Sequence, residues 1–375
     1  MAGIYIHIPF CSQACYYCDF HFSTSLRNKS KIIYAIIKEI QTQKNYLNGE
    51  KIHTIYFGGG TPSILLVDEL SQIFSAVKDN FALSNNLECT LEANPEDINE
   101  KKLNEWFNLG INRLSLGVQS FRNKDLNYMN RSHTATESVQ SIELIKKSKI
   151  SNFSIDLIYG FPLLTNTAWL NNLEKCINFN VPHISCYCLT VEKKTPLFHM
   201  IKKGDYRSLD PLKGKEQFLI ARKVFLKNGY THYEISNFSK PAFYSQHNKN
   251  YWNSTNYLGV GPSAHSYNGI SRRWNVKNNA LYFKKINNNE CIFKEEVLTK
   301  KNILNEYILT SIRTKYGLKI DYVFDKMTLK QKDSFKKEIN KLEKKKFVII
   351  IDRKIFLTEK GMLFADSIAE NLFII

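Results

Sequence analysis

No apolar run in the 375-residue chain approaches the length a membrane span needs. The start, Met-Ala-Gly-Ile-Tyr-Ile-His-Ile-Pro, lacks a basic segment followed by a long apolar stretch, so no secretory signal is read there. Carboxylates are scarce beside basic side chains, 35 against 52, and the formal net charge of +17 favours anionic partners such as nucleic acid, acidic headgroups or a polycarboxylate. A disulfide framework is missing too. Of eight cysteines three crowd into one loop, while Cys89, Cys176, Cys186, Cys188 and Cys291 are scattered through apolar segments and read most simply as small buried hydrophobes. These absences lead to the expectation of a soluble cytoplasmic protein, whose 43% hydrophobic residues suffice for one large domain and a smaller one.

The three clustered thiols are Cys11, Cys15 and Cys18, at a C-x3-C-x2-C spacing. Such a loop can wrap one face of a cubic [4Fe–4S] cluster, each thiolate holding one iron. The fourth iron then lacks a protein ligand, and a small chelating molecule can take that corner. A Cys3His zinc site using His7 or His21 is the alternative on spacing alone.

Six short apolar segments alternate with amphipathic ones. They are Ile4 to Ile8, Ile52 to Phe57, Leu87 to Leu91, Arg113 to Val118, Phe153 to Ile158 and His183 to Leu189. Between them, helical spacing recurs, for example in Ile32, Ile33, Ile36, Ile37 and Ile40. This alternation predicts an α/β fold with a parallel sheet, either an incomplete TIM-type barrel or a doubly wound sheet. In both, ligands bind at the carboxyl ends of the strands. The cysteine loop, Gly59-Gly60-Thr61, Glu92, Gln119, Asp156 and Thr190 fall at or near those ends.

The residue types on that rim suggest a ligand. Glycines let backbone carbonyls approach an ammonium group, although a tight strand-to-helix turn needs the same residues. Glu92 and Asp156 suit ribose hydroxyls, or cap the helices that follow. Arg131 offers a planar fork for a carboxylate. An amine, a carboxylate and a ribose together describe S-adenosylmethionine.

The motifs that carry these residues resemble the radical SAM superfamily and, within it, the oxygen-independent coproporphyrinogen III oxidase group. They are Tyr5-Ile-His-Ile-Pro-Phe-Cys11, the cysteine triad, Phe57-Gly-Gly-Gly-Thr-Pro62, Glu92-Ala-Asn-Pro95, Asn112-Arg-Leu-Ser-Leu-Gly-Val-Gln119, Ile155-Asp-Leu-Ile-Tyr-Gly160, Tyr233-Glu-Ile-Ser-Asn-Phe238 and Gly259-Val-Gly-Pro-Ser-Ala-His265. The resemblance implies an incomplete (β/α)6 barrel, with Tyr5, Tyr17, Gly59, Gly60, Thr61, Glu92, Gln119, Arg131, Asp156 and Thr190 at cofactor-contact positions. An electron from the reduced cluster would cleave the sulfonium and release a 5′-deoxyadenosyl radical.

Two departures from the decarboxylating oxidases are visible. Those enzymes resemble C-x3-C-x2-C-x-C, where this chain has Cys18-Asp19-Phe20, and they carry an arm before the first strand, where only ten residues precede Cys11. Both features are similar to the HemW branch of haem chaperones, as is His247-Asn-Lys-Asn-Tyr-Trp252, which matches an H-N-x-x-Y-W signature. The resemblance therefore implies haem as cargo, acceptor haemoproteins as recipients and an electron donor for the cluster. His247 is the implied haem ligand, with His7, His232 and His265 as alternatives; a lone histidine is otherwise an ordinary core or surface residue. The catalytic alternative is a coproporphyrinogen III oxidase. Membrane-bound acceptors, peripheral membrane contact and oligomeric state are left open.

The expected division is a radical SAM barrel over 1–210, a connecting region over 211–294 covering the barrel mouth, and a mostly helical, winged-helix-like domain over 295–375. Arg272-Arg273-Trp274 lies near the cover and could meet haem propionates. Residues 326–346 hold nine lysines against Asp333, Glu338 and Glu343, either a solvated helix face or a nucleic-acid-binding surface. No sequence-reading helix can be identified, so nucleic acid carries less weight.

Overall fold

The computed structural model describes residues 2–374. Six strands, β1 (Ala2–Ile8), β2 (Ile52–Gly59), β3 (Leu83–Ala93), β4 (Arg113–Gln119), β5 (Asn152–Tyr159) and β6 (His183–Cys188), lie side by side in chain order, all parallel. Helices α1 (Lys29–Thr42), α2 (Val67–Asn80), α3 (Glu100–Leu109), α4 (Asn123–Tyr128), α5 (Ala135–Lys147) and α6 (Asn166–Asn178) make the crossovers. Local signals set their ends: Asn99 accepts the Lys102 amide at 2.9 Å to start α3, and Gly110, at φ 108°, stops it in a conformation that a side chain would disfavour.

The strands have two unlike faces. Ile4, Ile6, Leu91, Leu114, Leu116, Ile155 and Ile184 pack with Ile32, Ile36 and Ile40 of α1 and the other helices in one core. Burying each such side chain contributes about 1.5–3 kcal/mol. The alternate positions, among them Thr54, Tyr56, Glu92, Arg113, Ser115, Ser154, Asp156 and His183, point into the barrel.

Beyond β6 come α7 (Pro196–Lys203) and α8 (Pro211–Lys227), then β7 (Thr231–Glu234) and β8 (Asn237–Ser239), which extend the sheet antiparallel outside β6. Helix α9 (Gln246–Trp252) leads into β9 (Asn256–Val260), parallel to β1. Strands β10 (His265–Tyr267) and β11 (Ser271–Asn275), helix α10 (Asn279–Asn287) and strand β12 (Phe293–Val297) complete a twelve-stranded sheet. Strands β1 and β6 pair with these additions rather than with each other, so the six-unit barrel is incomplete.

The expectation that 211–294 covers the mouth needs correction for α9, although the 277–279 segment does reach the cysteine loop, with Lys277 donating to the Asp19 carbonyl at 3.2 Å and Asn279 2.7 Å from His21 Nε2. This region lengthens the sheet on both sides, and α9 sits at the opposite end of the barrel. Glu88, which pairs with Thr54 near the start of β2, accepts the amides of Gln246 at 3.0 Å and His247 at 2.9 Å. The free amides at a helix start seek such a carboxylate, and that attraction holds α9 on the barrel floor.

A second core contains Leu304, Ile308, Phe335, Ile339, Leu342 and Ile355. It is built by α11 (Lys300–Ile312), β13 (Leu318–Lys319), α12 (Ile320–Phe324), α13 (Leu329–Lys344), β14 (Val348–Ile351), β15 (Lys354–Leu357), α14 (Glu359–Met362) and α15 (Ala365–Asn371). Three helices followed by a hairpin, with sheet order β13-β15-β14, give the winged-helix-like arrangement. The unit continues the barrel sheet through a Glu234–Thr314 bridge and a bond from the Lys315 amide to the Tyr233 carbonyl at 3.0 Å. Among the described residues no helix is long and apolar enough to cross a membrane.

Candidate functional site

Neighbouring strands lie ~4.8 Å apart, so a flat sheet would hold the ends of β1 and β6 roughly 24 Å from each other. Instead Cys11, directly after β1, and Tyr187, near the end of β6, border one cavity of about 560 Å³. The six strands therefore curl around it. Cys15, Cys18, Tyr17, Gly59, Gly60, Thr61, Glu92, Gln119, Arg131, Asp156 and Thr190 line the same space.

The cysteine loop is held from three sides. The Cys11 amide donates to the Ser23 carbonyl at 3.1 Å, Tyr16 N to Met129 O at 3.1 Å, and Leu197 N of α7 to Tyr16 O at 2.9 Å. All three thiols are free and half-buried. Burial pushes the Cys11 thiol up to about 11 and that of Cys18 to about 12, so these sulfurs gain from a cationic partner. Arg131 supplies part of that charge, its Nη1 lying 3.3 Å from Cys15 Sγ, while Nη2 donates to Asn94 Oδ1 at 2.7 Å and the Gly117 carbonyl at 3.0 Å.

The glycine turn is sterically required. Gly59 sits at φ 106°, and a Cβ there would come within 2.5 Å of the His7 ring; one on Gly60 would meet the Phe10 carbonyl at 2.5 Å. Gly59 N donates to Glu92 Oε2 at 3.1 Å, and Tyr56 donates to Oε1 at 2.9 Å. Burial, with Asp156 adding to it, pushes the Glu92 carboxyl up to about 7. Burial also raises Asp156, whose Oδ2 accepts from Ser115 at 3.4 Å while Oδ1 has no protein partner. Gln119 has φ 62° where the β4–β5 register shifts, strain of the kind that concentrates at binding sites.

Two residues lie elsewhere. Tyr5 is one layer below the cavity, its hydroxyl 3.1 Å from His7 Nδ1. His247 is buried on the barrel floor, stacked on Tyr56 with ring centroids 5.0 Å apart. Of the other histidines, His7 and His232 have both ring nitrogens engaged, whereas His265 is exposed and stacks on Trp274. Arg272 and Arg273 are occupied by Glu306 and Glu295 at 3.0 and 2.9 Å.

The sequence reading overlooked Asn94, which orients Arg131, and the polar barrel interior around Arg113. Buried parallel strands are usually apolar on both faces, so the period-two polar residues of β3, β4 and β5 were the available signal.

The donor set suits the cofactors that the motifs imply. Three soft thiolates in one anchored loop match iron, and the unpartnered Asp156 oxygen matches a hydroxyl-bearing ligand. For zinc the fit is poorer, since the His7 and His21 rings are engaged with Tyr5, the His21 carbonyl and Asn279. Among the described residues no three Cys, His, Asp or Glu side chains close on a single-ion centre.

Comparison with known proteins agrees. Residues 5–176 match the Radical SAM superfamily and residues 298–364 the HemN C-terminal domain. The family implies a [4Fe–4S] cluster and S-adenosylmethionine binding. Coproporphyrinogen III oxidase from Escherichia coli has the same fold, with TM-score 0.86 at 22% identity, covering 99% of this chain and 90% of that one. The Heme chaperone HemW of Lactococcus lactis is 32% identical over 370 residues, 99% of this chain and 97% of that protein. The Heme chaperone HemW of Buchnera aphidicola from Schizaphis graminum is 33% identical over 382 residues, 98% and 96% of the two. With such identity over nearly the whole of both chains, this chain belongs to the HemW family of radical SAM proteins.

Proposed function

We propose that the chain binds haem and passes it to acceptor haemoproteins, carrying a [4Fe–4S] cluster on Cys11, Cys15 and Cys18. The carrying observation is the full-length identity to proteins named as haem chaperones, supported by Phe20 at the place of the additional cysteine. S-adenosylmethionine would complete the cluster's open iron and, when bound, supply a cleavable sulfonium. Glu92 and Asp156 are the acceptors for its ribose, the Gly59–Thr61 turn faces its amine, and Arg131 meets its carboxylate; Tyr17, Gln119 and Thr190 complete the wall. Tyr5 acts from beneath by fixing His7. The same proposal includes an electron donor for the cluster and contact with membrane-bound acceptors, for which the basic excess is the favourable charge. It also divides the chain into barrel, connecting region and C-terminal domain at 210/211 and 294/295.

His247 is the haem ligand in this proposal. Burial holds its imidazole down at about 3 while α9 is in place; once released, an imidazole with the ordinary value of about 6.5 is still mostly neutral near pH 7.5, the form that coordinates iron. Its ring is enclosed, so coordination requires α9 to leave the barrel floor; exposed His265 makes no such demand and is the comparison variant. The test is absorption-monitored haem titration of the reconstituted protein, followed by transfer to an apo-haemoprotein. Loss of the bound-haem spectrum in His247→Ala but not His265→Ala supports the assignment, and the reverse pattern reassigns the ligand. Anaerobic conversion of coproporphyrinogen III to protoporphyrinogen IX would replace the chaperone reading with the catalytic one.

A further inference from the structure

A sheet edge offers unpaired backbone amides and carbonyls to any passing strand, and folded proteins close such edges. The twelve-stranded sheet ends in β12 and β7. Strand β12 is blunted by Lys294, Glu295 and Glu296, and β7 is continued by the Glu234–Thr314 bridge. In the small sheet β13 has only two residues. Strand β14 is different. It pairs only with β15, and Ile349, Ile350 and Ile351 are 44%, 39% and 51% exposed. Among the described residues it is the one sheet edge that is open, apolar and longer than two residues.

The surroundings of the strand are basic. Lys344, Lys345 and Lys346 precede it and Arg353 and Lys354 follow, with Asp352 as the single carboxylate over 344–354. Arg353 is already engaged by Asp321, so the lysines hold the uncompensated charge. A second copy of the chain, paired antiparallel along the same edge, would set these lysines against the other copy's Asp352-Arg353-Lys354 turn, which carries a net positive charge and disfavours the pairing. Hydrocarbon would leave the free backbone groups of the edge without hydrogen-bond partners. An extended acidic polypeptide meets all three demands: it bonds the edge, packs on the isoleucines and neutralises the lysines.

We propose that β14 is the docking edge for an extended segment of a partner protein, one that alternates apolar side chains and carries acidic residues at its ends. The segment adds a fourth strand to the small sheet. This surface does not depend on what the cavity carries.

The probe is a short synthetic peptide alternating valine and threonine, with glutamates at both ends, titrated against the full chain. Amide hydrogen exchange should slow within 348–351, and anisotropy of the labelled peptide should report saturable binding. The double variant Ile349→Ser with Ile351→Ser, which removes the apolar contact without adding charge, should weaken binding by about tenfold or more, with circular dichroism unchanged. Should that variant misfold, Lys344→Glu, Lys345→Glu and Lys346→Glu together, outside the strand, should exchange preference from the glutamate-ended to a lysine-ended peptide. Unchanged exchange over 348–351, or binding indifferent to both sets of variants, overturns the proposal. So does flotation with phosphatidylglycerol vesicles, or a sedimenting dimer, that the isoleucine variants abolish without any effect on peptide binding.

Discussion

The Nδ1 atom of His247 lies 2.8 Å from Thr54 Oγ1, and its Nε2 lies 3.0 Å from the Tyr251 hydroxyl, so the ring bridges α9 to the second barrel strand. Replacing it by glutamine disturbs both buried hydrogen bonds and should cost about 1–3 kcal/mol at pH 7.5. The pH dependence identifies the cause. Burial, with Arg113 assisting, lowers the folded-state value from 6.5 to about 3, so the unfolded chain takes up the proton first. The stability this ring contributes is complete above 6.5 and is lost as pH falls toward 3. The gap between wild type and His247→Gln should therefore narrow by up to about 1.4 kcal/mol per pH unit below 6.5. Denaturant midpoints at several pH values check this; a constant gap would mean the ring is not held neutral.

Glu39 should show the opposite sign. It accepts from Gly261 N at 2.8 Å and Asn275 Nδ2 at 2.7 Å, and also from the Tyr282 hydroxyl, fastening α1 to α10 and to the segment after β9. Burial pushes its carboxyl from 4.5 up to about 7, so its stabilisation is complete below 4.5 and is lost as pH rises through 7. Compared with wild type, Glu39→Gln should gain up to about 1.4 kcal/mol per pH unit between 4.5 and 7, then level off. The same midpoint measurements decide it, whatever constant offset the amide introduces.

The barrel was legible because each strand presents an apolar face to the helices and ends in an unusual residue. Ile52 to Phe57 became β2 (Ile52–Gly59), and Glu92, Gln119 and Asp156 came to the cavity because strand polarity carries them there. Strands β7 to β12 were not read; they are short, and β12 runs Phe-Lys-Glu-Glu-Val without an apolar stripe. The position of α9 was hidden for another reason. Periodicity marks a helix, but the contact that places this one is a Glu88 carboxylate far away in sequence. A motif can identify His247 as unusual without telling which end of the barrel it occupies.

Serine replacements distinguish the cysteines by place. Cys11→Ser, Cys15→Ser and Cys18→Ser should each lose most of the iron and sulfide after reconstitution, since thiolates, not hydroxyls, hold such clusters. Cys188 and Cys291 are exposed, not buried as expected from their apolar surroundings, and Cys188 lines the cavity, yet neither belongs to the anchored loop. Cys188→Ser and Cys291→Ser should therefore keep wild-type iron content and the same electron paramagnetic resonance spectrum of the reduced cluster. Iron loss in Cys188→Ser would mean a different ligand set.

Arg131 tests whether charge or geometry matters at the open iron. Its two terminal nitrogens are committed to Cys15, Asn94 and the Gly117 carbonyl, while Nε is buried without a partner beside the cavity. Arg131→Lys keeps one positive charge but loses the planar fork, because a lysine ammonium cannot serve these directions at once. S-Adenosylmethionine affinity, measured by equilibrium dialysis on the reconstituted protein, should fall about ten- to hundredfold, with iron content unchanged. Loss of iron together with affinity would place Arg131 in the support of the cysteine loop instead. Unchanged affinity would mean that charge alone, and not the planar fork, holds the carboxylate.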